Sequence, residues 1–271
     1  MTVTVHHLNC GSLCPVCQRL VNGEGSLLRR GELVCHCLLV ETPSSLVLVD
    51  TGLGTADMRQ PVKRLGKGFA SAMAPKLDLA DTAIEQVKAL GFEPADVRHL
   101  IPTHLDADHA GGVSDFPGAS VHVRQQELDQ VLTPNLRERM RFRQSQFAHG
   151  PKWQVEETTT EQWFGFDAIR PIDDIDLLMV PLPGHSRGHV GVAVNTDDGW
   201  LLHCGDAYFH RSEVSGKGAM PAGLKWFERS IQAQPRQREA TRQRLAALHR
   251  DHGDQVSLFC AHDPVELARF R

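Results

Sequence analysis

The sequence predicts an α/β (α+β, four-layer) fold, an αββα sandwich, on three observations. Strand-like runs followed by helical segments occur in both halves of the chain. In each half a strand runs into an Asp beside a Gly, at Asp50-Thr51-Gly52 and at Gly205-Asp206. No Pro/Ser-rich linker or low-complexity tract divides the 271 residues, so residues 1–271 read as one domain.

The elements follow from periodicity and turn signals. Residues 2–8 alternate as a strand does, and a loop with Gly and Cys runs to about residue 31. Val- and Leu-rich runs at Leu33–Thr42 and Ser45–Asp50 read as buried strands joined at Thr42-Pro43-Ser44. Residues 55–78, with Gly66, Gly68 and Pro75, read as a mobile loop with one short helix. Asp81–Leu90 has an acidic start, apolar Ile84 and Val87, and Gly91 as a stop signal, which predicts a helix. A helical turn at Pro94–Val97 precedes a short strand, His99–Thr103. Ser120–Val123 follows as a strand, then helices at Gln125–Leu132 and Asn135–Phe147, the second with a basic face. Residues 148–168 read as irregular. Strands are expected at Leu177–Pro181, Gly191–Asn195, Gly199–Cys204 and Gln255–Cys260, and helices at Gly223–Ala233 and Arg236–Asp251. Asp263-Pro264 has the N-cap and N1 pattern of a last helix.

Composition excludes several classes. With 41% hydrophobic and 23% charged residues the chain is ordinary for a globular protein, and no run approaches the roughly 20 apolar residues of a membrane helix. The first seven residues have neither the basic flank nor the apolar stretch of a signal peptide, so the expected location is cytoplasmic, without membrane contact. A net charge of −4 argues against nucleic acid as partner. Seven cysteines make an odd number with no dense disulfide spacing. Cys204 and Cys260 read as small buried side chains. Cys14-Pro15-Val16-Cys17 has the spacing of half a zinc knuckle, but Cys10, Cys35 and Cys37 do not repeat it, so these thiols read as reduced and unliganded.

The strongest chemical signal is Thr103-His104-Leu105-Asp106-Ala107-Asp108-His109-Ala110-Gly111-Gly112, with four metal-capable side chains in six residues. An Asp-rich turn often only caps a helix. Three further candidates, however, also follow strand-like runs: His185 in Pro183-Gly184-His185, Asp206 in Gly205-Asp206, and His262 in Cys260-Ala261-His262. A loop leaving a strand end can wrap such groups around metal ions, and the glycines let backbone pass close by.

This ordered set, from Asp50-Thr51-Gly52 to His262, resembles the metallo-β-lactamase superfamily. The resemblance implies that His104, Asp106 and His185 bind a first metal and that Asp108, His109 and His262 bind a second. Asp206 would bridge both, and Asp50 would orient ligand imidazoles. The usual pattern is His-x-His-x-Asp-His, so Asp106 departs from it. Its harder oxygen donor and extra negative charge either favour iron or manganese over the zinc otherwise expected at the first site or weaken that site.

Two divalent ions would bring a shared hydroxide within reach of an electrophilic carbonyl at neutral pH, with Asp108 handling the proton. The motif region is most similar to the lactonase branch. That similarity implies a catalytic part for Tyr208, the one tyrosine of the chain, as donor to the developing oxyanion. His189 is expected behind the ligands or lining the cleft, or else in a surface or structural role, and His210 and Arg211 either near a substrate anion or simply solvated. Met58, Phe69 and Met73, with the aromatics of residues 147–166, are expected either to line an apolar cleft or to form a subsidiary core or homodimer contact. The reading is a dinuclear lactone or ester hydrolase acting on a small molecule. Thioester, phosphodiester or β-lactam hydrolysis, an iron-dependent redox protein, and a non-catalytic binding protein are the alternatives.

Overall fold

The computed structural model describes residues 3–136 and 138–271. Strands β1 (Thr4–Leu13), β2 (Leu33–Glu41), β3 (Leu46–Val49), β4 (Val97–Ile101), β5 (Ser120–Val123) and β6 (Lys152–Val155) form one six-stranded sheet in that order. A small hairpin joins β7 (Glu161–Trp163) to β8 (Phe166–Ala168). Strands β9 (Leu177–Pro181), β10 (Val190–Thr196), β11 (Gly199–His203) and β12 (Val256–Phe259) form a four-stranded sheet in the order β12-β11-β10-β9.

Side-chain alternation builds the layers. Successive residues of a strand face opposite sides of the sheet, and here both sides are apolar. In β2 and β3, Leu38, Val40, Val47 and Val49 face the second sheet, while Leu39, Leu46 and Leu48 face the other way. In β9 and β10, Leu177, Met179, Val192 and Val194 meet the first sheet, while Leu178, Val180 and Ala193 face outward. The first outer face is covered by helices Ala83–Ala89 and Gln125–Leu132 through Val87, Leu128 and Val131. The second is covered by helix Pro235–His252 through Leu245 and Leu248. The result is the expected four-layer αββα sandwich.

Strand direction places the chemistry. β3 and β4 are parallel, and so are β11 and β12; β9 runs antiparallel to β10, which runs antiparallel to β11. Asp50, the 104–109 motif, His185, Asp206 and His262 therefore all leave strands at carboxyl ends, the edge where open α/β sheets carry their sites.

Three segments differ from the sequence expectation. Residues 55–78 form three short helices, Thr55–Arg59, Pro61–Leu65 and Lys67–Met73. Asn135–Phe147 is not one helix: Glu138–Arg141 is a single turn, with a 3-10 turn at Gln144–Phe147. Its basic residues do not share a solvated face, because Arg141 turns inward. Residues 148–168 hold β6, β7 and β8; the hairpin turn is Phe164-Gly165, both at positive φ (45° and 80°). An aromatic residue in that conformation lacks the Asn-Gly or Asp-Gly signature by which such turns are recognised. The cysteines are free, and Cys10, Cys35, Cys37, Cys204 and Cys260 are buried. Among the described residues, no helix is long and apolar enough to cross a membrane.

Candidate metal centre

The seven expected donors converge. Among the described residues, three groups lie close enough to share an ion: His104–Asp106–His185, His104–His109–Asp206 and Asp108–His109–His262. The tautomers follow from the partners. His109 Nδ1 donates to Asp50 Oδ2 at 2.8 Å, and His262 Nδ1 donates to the Val34 carbonyl at 2.7 Å. The Thr103 hydroxyl donates to Asp50, so it accepts from His104 Nδ1 at 3.1 Å. Each imidazole therefore presents an Nε2 lone pair inward. His109 Nε2 and His262 Nε2 stand 3.3 Å apart, with Asp206 Oδ1 at 3.3 and 3.2 Å from them. Without an ion, a cluster of nitrogen and oxygen acceptors this tight is relieved only by a proton taken up on an imidazole. Their convergence fits a cation, and the donor types suit a divalent ion.

Charge points the same way. Burial opposes a charged His109, yet the Asp206 and Asp50 carboxylates outweigh it and hold its pKa well above the ordinary value. Burial likewise opposes the Asp206 anion, but His262, His109 and His185 hold its carboxyl far below the usual range. Burial lifts the carboxyl of Asp108.

The first donor group contains a cation of its own. His104 Nε2 and His185 Nε2 lie 3.2 and 3.1 Å from Asp106 Oδ2, and His185 Nε2 lies 3.3 Å from Asp206 Oδ2. Arg141 Nε donates to Asp106 Oδ1 at 2.7 Å, and the same guanidinium reaches His185 Nε2. Burial opposes the Asp106 anion, but Arg141 with His104 and His185 holds its carboxyl far below the usual range. Sequence reading missed Arg141, whose one local signal was membership of a basic segment.

Two other supports, Glu127 and His203, were equally silent in sequence. Glu127, buried in helix Gln125–Leu132, accepts from Leu105 N (2.9 Å), Ser186 Oγ (2.6 Å) and Gly188 N (3.1 Å), joining the motif loop to the His185 loop. His189 is fully buried and accepts from the Asp206 amide at 3.0 Å, so it positions Asp206 from behind, the first of the roles the sequence left open for it. His203 accepts from Gly205 N and donates to the His36 carbonyl. Gly205 has φ 50°, and a Cβ there would lie 2.7 Å from both His189 Nε2 and Thr103 Oγ1, so only glycine fits the turn into Asp206.

Tyr208 is a correction. Its ring is fully buried beneath the four-stranded sheet, and its hydroxyl bonds Glu266 Oε1 at 3.1 Å, so it faces away from the donors. Its neighbour Phe209 takes the cavity side, packed 5.2 Å from His262. A Tyr208→Phe variant is expected to keep wild-type turnover and lose roughly 1 kcal/mol of stability with its buried hydrogen bond. Steady-state rates and melting curves would check this, and a collapse of kcat at unchanged Tm would reinstate the catalytic role.

A cavity of about 610 Å³ opens over Asp106, Asp108, Asp206 and His262. Phe69 and Met73 line it, as one of the two sequence readings has it, with Leu13, Leu33, Leu65, Phe209 and Phe227. Met58 is instead buried in the cluster behind this wall. Trp163 and Phe166 do not line the cavity either, because the β7–β8 hairpin packs them on the outer face of the second sheet. Arg211 is tied to Asp263 at 2.9 Å, and His210 to Ser212 at 2.7 Å, both outside the cavity.

Residues 30–251 match the metallo-beta-lactamase superfamily. The chain belongs to this superfamily. It is 42% identical over 272 residues, 98% of this chain and 83% of the relative, to the probable metallo-hydrolase Rv2300c of Mycobacterium tuberculosis. It is 29% identical over 164 residues, 60% of either chain, to the N-acyl homoserine lactonase AttM of Rhizobium radiobacter. In fold it is similar to an N-acyl homoserine lactone hydrolase solved with N-hexanoyl-L-homoserine at its catalytic metal centre. That likeness has a TM-score of 0.75 at 21% identity, over 100% of this chain and 98% of the other. As a member of the metallo-β-lactamase superfamily with such relatives, the chain is a metal-dependent hydrolase.

Proposed function

We propose that the chain hydrolyses a lactone or ester bearing an apolar chain, at a metal centre built from His104, Asp106, Asp108, His109, His185, Asp206 and His262. The observation that carries this reading is the cavity: apolar walls of Leu13, Leu33, Leu65, Phe69, Met73, Phe209 and Phe227 stand over carboxylate and imidazole donors. Of the two ions the motif leads one to expect, the reaction rests on the one among Asp108, His109, Asp206 and His262. A divalent ion there, zinc being the ordinary occupant of such donors, supplies Lewis acidity, which makes hydroxide available at neutral pH and polarises an acyl oxygen.

The residues do the rest. Asp50 and the Val34 carbonyl fix the imidazoles in the tautomer that offers Nε2. Asp108 lines the cavity beside His109 and His262, where its carboxylate is placed to take a proton from the attacking water and pass it to the leaving alkoxide. The apolar walls hold the acyl chain and thin out water around the reacting carbonyl. The core between the sheets draws on both halves, which supports one working domain, and seven free cysteines suit the cytoplasm.

The test is elemental analysis of the purified protein with a panel of lactones, esters, thioesters and phosphodiesters, N-acyl homoserine lactones first because relatives act on them. Hydrolysis is expected for acylated lactones or esters. Chelation should cut it about a hundredfold or more, with recovery on adding zinc or manganese. No turnover across the panel by metal-loaded protein would remove the reading, and turnover of another class alone would move it there.

A further inference from the structure

We propose that Arg141 is the resident cation of the first donor group, so that the centre binds one divalent ion tightly, among Asp108, His109, Asp206 and His262. The inference rests on the metal reading above and deepens it.

A guanidinium has five N–H groups, and each of Arg141's has a local acceptor. Nε donates to Asp106 Oδ1 at 2.7 Å. Nη1 donates to the carbonyls of His185 (2.9 Å) and Ile231 (2.8 Å), and Nη2 to Asp106 Oδ2 and His185 Nε2. This is a built guanidinium site, with a bidentate carboxylate and two backbone oxygens that hold the side chain in one pose.

The same contacts use what an ion would need. A ligand imidazole offers one lone pair, and that of His185 Nε2 already accepts from Arg141. The Asp106 carboxylate is neutralised by the same group. A metal in this position must displace Arg141 and leave the His185 and Ile231 carbonyls without their donors.

The other donor group has no such competitor. Among the described residues, the ion-pair partners of Asp108 and Asp206 are histidines alone. Charge balance agrees: Asp106 brings one carboxylate more than a histidine would, and Arg141 brings one positive charge against it.

The test is metal content. The full chain is loaded with excess zinc, desalted and analysed, and the cobalt-loaded form is studied by electron paramagnetic resonance. Wild type is expected to retain one ion per chain and to give the signal of isolated cobalt. Arg141→Met should retain two and show spin coupling, whereas Arg141→Lys, which keeps the charge, should stay closer to one. Two ions per wild-type chain would overturn the proposal and leave the metal reading standing; none would sink both. The wild-type count decides even if Arg141→Met does not fold, and it does not depend on finding a substrate.

Discussion

An Asp206→Asn protein is expected to lose about three orders of magnitude in kcat/KM, on the order of 4 kcal/mol of transition-state stabilisation, together with most of its bound metal. Among the described residues, Asp206 alone puts an anionic oxygen on each side of the centre. Oδ1 lies 3.3 and 3.2 Å from His109 and His262 Nε2, and Oδ2 lies 3.3 and 3.8 Å from His185 and His104 Nε2. An amide keeps the shape but replaces one of these oxygens with an N–H2 group, which cannot ligate and has no charge to balance a cation. The surrounding imidazoles outweigh burial and keep the wild-type carboxyl ionised far below neutral pH, so the substitution removes a charge present throughout the working range. Steady-state rates on the best substrate of the panel, elemental analysis and a melting curve would check this together. Wild-type rate and metal content in the Asn variant would show that the carboxylate is not part of the centre.

The donors were legible because each sits where a strand ends, and strand ends can be read locally. The apolar run Leu46–Val49 stops at Asp50, and β11 stops just before Gly205-Asp206. Hydrophobic runs and glycines mark both points without any knowledge of the partner strand.

What was not legible depends on contacts across long separations. Tyr208 and Phe209 are adjacent, and only the tight turn at Gly205 decides which of them faces the cavity and which faces Glu266. Counting residues from Asp206 cannot settle that. Arg141 reads as one cation of a basic helix, yet its acceptors are Asp106, His185 and Ile231, 35, 44 and 90 residues away. Polar groups of this kind leave no periodic trace, since one well-placed residue satisfies them, whereas a core face needs a repeat. The sequence leaves the aromatics of residues 147–166 between a cleft wall and a subsidiary core for a related reason: their pattern shows that they are buried, and only the hairpin pairing shows against what.

Glu127→Ala is expected to cost on the order of 3–4 kcal/mol of stability, because three buried donors lose their acceptor at roughly 1–3 kcal/mol each and part of the loss is recovered by entering water. That corresponds to a fall in Tm of roughly 6–16 °C for a domain of this size. Leu105 N, Ser186 Oγ and Gly188 N all converge on this one carboxylate. The backbone is already in close contact there, since a Cβ on Gly188 would lie 2.4 Å from Glu127 N, so the loops have little room to find other partners. Burial lifts the Glu127 carboxyl above its ordinary range, so the charged form is itself costly and the net loss falls short of the sum of its bonds. Glu127→Gln keeps a carbonyl for one side and turns an N–H2 group toward the other, and should lose about half as much. Because Leu105 lies in the loop that also carries Asp108 and His109, the Ala variant should also bind its metal more weakly, by about 10–100-fold as when other outer supports of ligands are removed. Thermal melts with and without added zinc would separate the two effects. If Glu127→Ala melts like wild type in both, the carboxylate does not hold these loops together, and the alignment of His104 and His185 must come from the strands alone.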